Sequence, residues 1–79
     1  MTYFEAIEIK QSLIVAIQYS DVTHQTAAES LKEAASKYTD EQFAEAYKVI
    51  CAKMKEEKDD LKNLLLLAVA SKSEKNDGK

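Results

Sequence analysis

Apolar residues recur along most of this chain at intervals of three and four positions, the spacing that places side chains on one face of an α-helix. The first such stretch, residues 3–20, carries apolar side chains over roughly half of its circumference. Phe4, Val15 and Tyr19 lie outside that arc. We therefore expect this first helix to be contacted on more than one side. A shorter, alanine-rich stretch at 26–37 predicts a second helix that packs closely against another.

The predicted helix starts share one local signal, a threonine followed three positions later by Glu or Gln. This is the capping box, in which each side chain satisfies a backbone donor at the start of a helix. The three pairs are Thr2–Glu5, Thr26–Glu29 and Thr39–Gln42. Tyr38 and Phe43 flank the third pair in the positions of a hydrophobic staple. A third helix is therefore predicted at about 40–57.

One apolar stripe runs through the C-terminal half and keeps its phase across the polar segment KEEKDD. Its members are Phe43, Tyr47, Ile50, Met54, Leu61, Leu64 and Ala68. In one interpretation, residues 40–72 form a single helix. In the other, Asp59 or Asp60 caps a separate fourth helix over about 60–72 that folds back. The charge run and the two candidate N-cap residues favour a break. The preserved phase and the absence of Gly and Pro from this region favour a continuous or merely kinked helix, which we expect.

The segment LLLLAVA, residues 64–70, covers nearly the whole circumference of a helix with apolar side chains. A helix that is apolar all round is buried all round, and so short a chain offers few elements to surround it. The alternatives are a core helix within the chain and burial against another polypeptide, and we expect the second. The expected anchors are Leu61, Leu64, Leu65, Leu67 and Ala68, with Phe43, Tyr47, Ile50 and Met54 as core or adjoining interface.

Length and composition favour self-association for a second reason. Seventy-nine residues make one small domain, here residues 1–72 followed by a polar tail at 73–79 that we expect to fray. Small domains gain stability from disulfides, metals or oligomerisation. Cys51 is the only cysteine and His24 the only histidine, so neither an intrachain disulfide nor a typical zinc site can form. We expect no cofactor and no metal.

Charge argues against nucleic acid as the partner. The net charge is −3, and all eleven basic residues are lysine. Arginine, the preferred bidentate reader of guanine and phosphate, is absent, as is tryptophan. Residues 30–48 have the general look of a helix-turn-helix, but Asp40, Glu41 and Glu45 would set like charge against phosphates. A DNA-binding regulator, or an acidic DNA mimic that inhibits a DNA-binding protein, is the alternative function.

No pattern indicates catalysis or membrane insertion. Cys51 and Lys10 lack a partner motif, and the carboxylates alternate with lysines as on a solvated helix face. The N-terminus lacks the basic and apolar regions of a secretory signal. The longest apolar run is seven residues, which is too short to span a bilayer. These features predict a soluble, cytoplasmic protein that is not an enzyme.

The sequence therefore predicts an all-α fold, a small three- to four-helix bundle with a long C-terminal helix that self-associates. We expect a non-enzymatic protein–protein interaction module, acting as an adaptor, an inhibitor or a regulatory subunit. Its expected partner is a second copy in a homodimer, another protein, or both, with no membrane and no small-molecule substrate. A small, acidic, arginine-free chain of this kind would suit a regulator from a phage or mobile element.

Overall fold

Four α-helices account for most of residues 1–73, the part of the chain that the computed structural model describes. They are α1 (Tyr3–Gln18), α2 (Ala27–Ala35), α3 (Asp40–Met54) and α4 (Asp59–Ser73). The predicted all-α class is confirmed. The predicted polar tail lies outside the described residues, apart from Ser73 at the end of α4.

The arrangement of the helices puts α1 and α4 on opposite sides of the bundle. α1 packs against α2 and α3, and α4 packs against the same two helices. α1 and α4 touch each other at fewer positions, across the centre. Each of these two helices therefore buries one side and turns its other side outward.

All three capping boxes form as the sequence predicts. In each, the threonine hydroxyl accepts a hydrogen bond from the backbone amide three residues later, and the Glu or Gln side chain accepts one from the threonine amide. The staple also forms, because the rings of Tyr38 and Phe43 meet edge to face with centroids 5.8 Å apart. Local signals thus set where the first three helices begin.

The core is made where the apolar faces of the four helices meet. Phe43 and Leu13 are its largest fully buried side chains. α2 adds little apolar volume but approaches its neighbours closely, since Ala34 and Ala35 are buried. The remaining buried apolar residues are Ala6, Ile9, Leu31, Ala46, Ile50, Leu61, Leu65 and Ala68.

The prediction of one continuous helix over residues 40–72 is wrong. α3 ends at Met54, and Lys55 adopts a left-handed conformation with φ 61° and ψ 36°. The amides of Lys55 and Glu56 both donate to the carbonyl of Cys51, which closes the end of α3. Lysine can take this conformation at a cost of about 1–2 kcal/mol, so the turn needs no glycine.

The preserved phase of the apolar stripe misled the sequence analysis for a simple geometric reason. The seven-residue step from Met54 to Leu61 is about two helical turns, so it keeps phase whether or not the helix is interrupted. The alternative of a separate fourth helix is correct, although neither aspartate caps it, since the helix already includes both. Asp59 and Asp60 lie in the first turn of α4, where the helix dipole favours negative charge.

The connection between α3 and α4 makes these two helices run antiparallel. Near the end of α4, the Lys72 ammonium donates to the Tyr38 carbonyl at 2.7 Å and to the Asp40 carboxylate at 2.9 Å. The end of α4 is therefore held beside the start of α3. This pairing creates the surface described in the next section.

Replacing Lys55 with glycine tests the left-handed turn. We expect Lys55→Gly to raise the free energy of unfolding by about 0.5–1 kcal/mol, because glycine takes positive φ without the Cβ penalty. The same change at Lys48, inside α3, should lower it by about 1 kcal/mol. Urea unfolding followed by far-UV circular dichroism measures both. Equal losses in the two variants would indicate a continuous helix.

Candidate protein-interaction surface

The residues predicted to form an interface fall into three groups in the structure. Five lie in the core of this chain, two are half-buried against that core, and two are exposed. The core members are Phe43, Ile50, Leu61, Leu65 and Ala68, the half-buried ones Tyr47 and Leu64, and the exposed ones Leu67 and Met54. The chain itself therefore covers the inner side of α4.

The outer side of α4 remains apolar. Leu66 is 56% exposed and Leu67 is 59% exposed, with Asn63 and Ala70 exposed beside them. No charged side chain interrupts α4 between Lys62 and Lys72. An uncharged, leucine-bearing helix face of this kind is typical of interaction sites rather than of free surface.

Leu66 is the member of this face that the sequence analysis missed. The expected anchors on α4 included its neighbours Leu65 and Leu67 but not Leu66. At 100° per residue, Leu66 lies on the opposite side of α4 from that stripe. Its exposure follows once the stripe is assigned to the core, so a helical projection could have identified it.

A shallow apolar groove lies between α3 and α4, beside Leu66. Its cavity has a volume of about 220 Å³ and walls that are almost entirely apolar. Asp40 and Lys62 are its only charged lining residues. The apolar lining residues are Phe43, Ala44, Tyr47, Leu65, Leu66 and Val69. We call this groove, together with Leu66 and Leu67, the α3–α4 surface.

Charges of both signs border the α3–α4 surface. The Asp40 carboxylate is paired with Lys72, whose ammonium also lies 5.6 Å from the centroid of the Phe43 ring. Within residues 1–73, Lys62 forms no salt bridge. Lys48 is exposed one turn beyond Ala44 on α3. Charge of the opposite sign on a partner would complement Lys62 and Lys48.

Tyr47 faces this groove with a neutral phenol. The adjacent Cys51 side chain and partial burial raise the pKa of Tyr47 above its ordinary value, and the negative charges of Glu57 and Asp59 act in the same direction. The phenol is protonated at neutral pH, as an unperturbed tyrosine also is, and can donate a hydrogen bond to a partner. Cys51 itself is half-buried, as expected of a small apolar residue.

The remaining candidates for chemistry are scattered. His24 is exposed in the α1–α2 loop with φ 61°, and Lys10 is half-buried on α1. Over residues 1–73, no three His, Cys, Asp or Glu side chains come together as a metal site would require. In the same range, no helix is both long enough and apolar enough to cross a bilayer.

The segment that resembled a helix-turn-helix is arranged differently from that motif. Across the described chain, α2 and α3 each pack on α1 and α4 and make no contact with one another. The first turn of α3 exposes Asp40 and Glu41. Glu45 lies 2.8 Å from the N-terminal amine of Met1.

Comparison with known proteins gives no relative. The chain matches no protein family, no curated protein and no solved structure.

Paired leucine substitutions test the division of α4 into an inner and an outer side. Leu65→Ala should lower the free energy of unfolding by about 2–5 kcal/mol, since it leaves a cavity in the core. Leu66→Ala, the adjacent change of identical chemistry, should alter it by less than about 0.5 kcal/mol. Urea denaturation of both variants measures the difference. Similar losses would place Leu66 in the core.

Proposed function

We propose that this protein is a non-enzymatic protein–protein interaction module that acts through apolar helical surface and works as a homo-oligomer. The α3–α4 surface is the observation that carries the proposal. It combines an apolar groove with two leucines that are more than half exposed. Leaving them in water forgoes the favourable burial of apolar area, about 25 cal/mol per Å².

The shape of the α3–α4 surface suits a helix as the occupant. A groove between two antiparallel helices can accept a row of apolar side chains spaced at i, i+3 or i+4, and i+7 on a partner helix. Leu66 forms one wall of the groove, and Leu67 extends the apolar area away from it. We assign this surface to an amphipathic helix of another protein, and self-association to a different face of the bundle.

The charges beside the groove favour amphipathic helices of one charge type as partners. Asp40 is neutralised by Lys72, whereas Lys62 lines the groove without an ion pair among the described residues. A partner helix with acidic residues beside its apolar stripe would place carboxylates near Lys62 and Lys48. Such rim contacts add to specificity and association rate more than to affinity.

Binding of this kind fits an adaptor, an inhibitor or a regulatory subunit. Each of these roles requires only that the α3–α4 surface bind a helix of the partner, which the partner would otherwise leave exposed or use for another contact. The affinity comes from the apolar contacts, where burying the remaining exposed part of a leucine contributes about 1–2 kcal/mol. Two such leucines together contribute about 2–4 kcal/mol, before the cost of association is subtracted.

Two synthetic peptides that differ only in flanking charge test this function. Both carry the same leucine stripe at helical spacing, one flanked by glutamates and the other by lysines. Fluorescence anisotropy should show tighter binding of the acidic peptide, and Leu66→Glu should weaken that binding at least tenfold. Val22→Glu is the matched control, because Val22 is 71% exposed in the α1–α2 loop, outside the α3–α4 surface.

Two results would contradict the proposal. One is that neither peptide binds the folded wild-type protein at any peptide concentration tested. The other is that Leu66→Glu and Val22→Glu have the same effect. A preference for the basic peptide would contradict the assigned partner chemistry.

A further inference from the structure

The outward face of α1 carries a second apolar strip, on the opposite side of the bundle from the α3–α4 surface. Its positions follow alternating steps of three and four residues, the a and d spacing of a coiled coil. They are Phe4, Ile7, Gln11, Ile14 and Gln18. We call these five residues the α1 seam. This spacing is typical of a helix face that packs against another helix.

The seam is open to solvent in the single chain. Phe4 is 83% exposed, Gln11 and Gln18 are exposed, and Val15 beside the seam is 45% exposed. Ile7 and Ile14 are only half-buried. The most apolar side chain of the seam therefore lies almost wholly outside the core.

Charged residues are confined to the two edges of the seam, and the edges differ in sign. Glu8 lies along one edge, and Lys10 lies along the other, next to Tyr3. The ammonium of Lys53, on α3, sits 5.6 Å from the centroid of the Tyr3 ring and adds positive charge to that second edge. The α1 seam thus has an acidic edge, an uncharged centre and a basic edge.

We propose that a second copy of this chain docks on the α1 seam, with the two α1 helices side by side and parallel. In a parallel pair, the basic edge of one helix faces the acidic edge of the other. Tyr3, with Lys53 above it, would lie opposite Glu8 of the second copy. The contact occurs twice because of the two-fold symmetry.

The antiparallel arrangement lacks this complementarity. It would bring each edge against its own copy, so that Glu8 faces the Glu8 edge and Lys10 faces the Lys10 edge. Two chains of net charge −3 also repel one another over most of their surface. The parallel arrangement brings together the uncharged strips and opposes charges of unlike sign.

Gln11 suits the centre of such a pair. Its side-chain amide has both donors and acceptors, so two copies at the two-fold axis can hydrogen-bond to each other. A polar residue at an a position lowers stability and specifies register. The sixteen-residue α1 is about 24 Å long, so one helix pair buries less than a standard interface. We therefore expect weak association that depends on concentration.

Engineered cysteines test both the contact and its direction. In a Cys51→Ser background, Gln11→Cys and Gln18→Cys are oxidised separately with copper–phenanthroline. A parallel pair places each position beside its own copy, so both variants should form disulfide-linked dimers. Ala70→Cys, which is exposed on the outer side of α4, is the control and should stay largely monomeric.

The two cysteine variants also separate the ways in which the proposal can fail. Cross-linking of Gln11→Cys alone would indicate an antiparallel pair and overturn the stated orientation. Cross-linking no greater than in the Ala70→Cys control would overturn the seam as a contact.

A charge exchange across the seam is an independent measurement. Glu8→Lys and Lys53→Glu should each raise the dimer dissociation constant roughly threefold or more in sedimentation equilibrium, because each opposes like charges. The double variant should recover the wild-type value. A double variant as weak as the singles, with unchanged circular dichroism, would refute the predicted pairing.

The same variants distinguish this inference from the proposed function. Changes in the α1 seam should leave binding of the acidic peptide to the α3–α4 surface unaltered, since the two surfaces lie on opposite sides of the bundle. A variant that loses the dimer but binds the peptide normally affects the α1 seam alone. A variant that loses peptide binding but still forms the dimer affects the α3–α4 surface alone.

Discussion

The structure depends on the shortage of chain available to cover its two most apolar helices. In a domain this small, a large share of the surface stays exposed after folding. α1 carries apolar side chains over more than one face, and α4 carries them nearly all round at residues 64–70, yet each helix is covered on one side only. The core takes the inner sides, centred on Phe43 and Leu13. Exposed apolar faces on α1 and α4 follow directly from this limit.

The left-handed turn at Lys55 determines which apolar side chains the rest of the chain covers. By ending α3 at Met54, it lets α4 fold back and bury Leu61, Leu65 and Ala68 in the core. The unfavourable conformation of one lysine is offset by this burial, since each buried leucine contributes about 1.5–3 kcal/mol. The pairing of Lys72 with Asp40 then holds the far ends of the two helices together. A continuous helix would have left all of these leucines without cover.

The two exposed faces support different interactions because they differ in shape and charge. The α3–α4 surface has an apolar groove lined by Lys62, and we propose that it receives the apolar stripe of an acidic helix. The α1 seam is an even strip with edges of opposite sign, and we propose that it binds its own copy. A dimer formed through α1 would carry two α3–α4 surfaces directed outward. Paired sites of this kind raise the avidity for a partner that presents two helices.

Signals confined to a few neighbouring residues specified the helical class and the helix starts. A capping box needs only a threonine and the residue three positions later, so Thr2, Thr26 and Thr39 could be interpreted without knowledge of the rest of the fold. The apolar stripe likewise identified Phe43, Ile50 and Leu61 as residues that require burial. It did not reveal what would cover them.

The tertiary structure decided which apolar residues are covered by other parts of the chain. The break at Lys55 could not be inferred, because lysine has no strong preference for positive φ and the stripe keeps its phase across the turn. Without that break, the run LLLLAVA does not show which of its leucines the chain itself will cover. Folding separates them, since the chain supplies a covering surface for one side of α4 and has no helix left for the other. The periodicity of the sequence indicates which apolar side chains share one face of a helix. Their burial depends on contacts between residues that are distant in sequence.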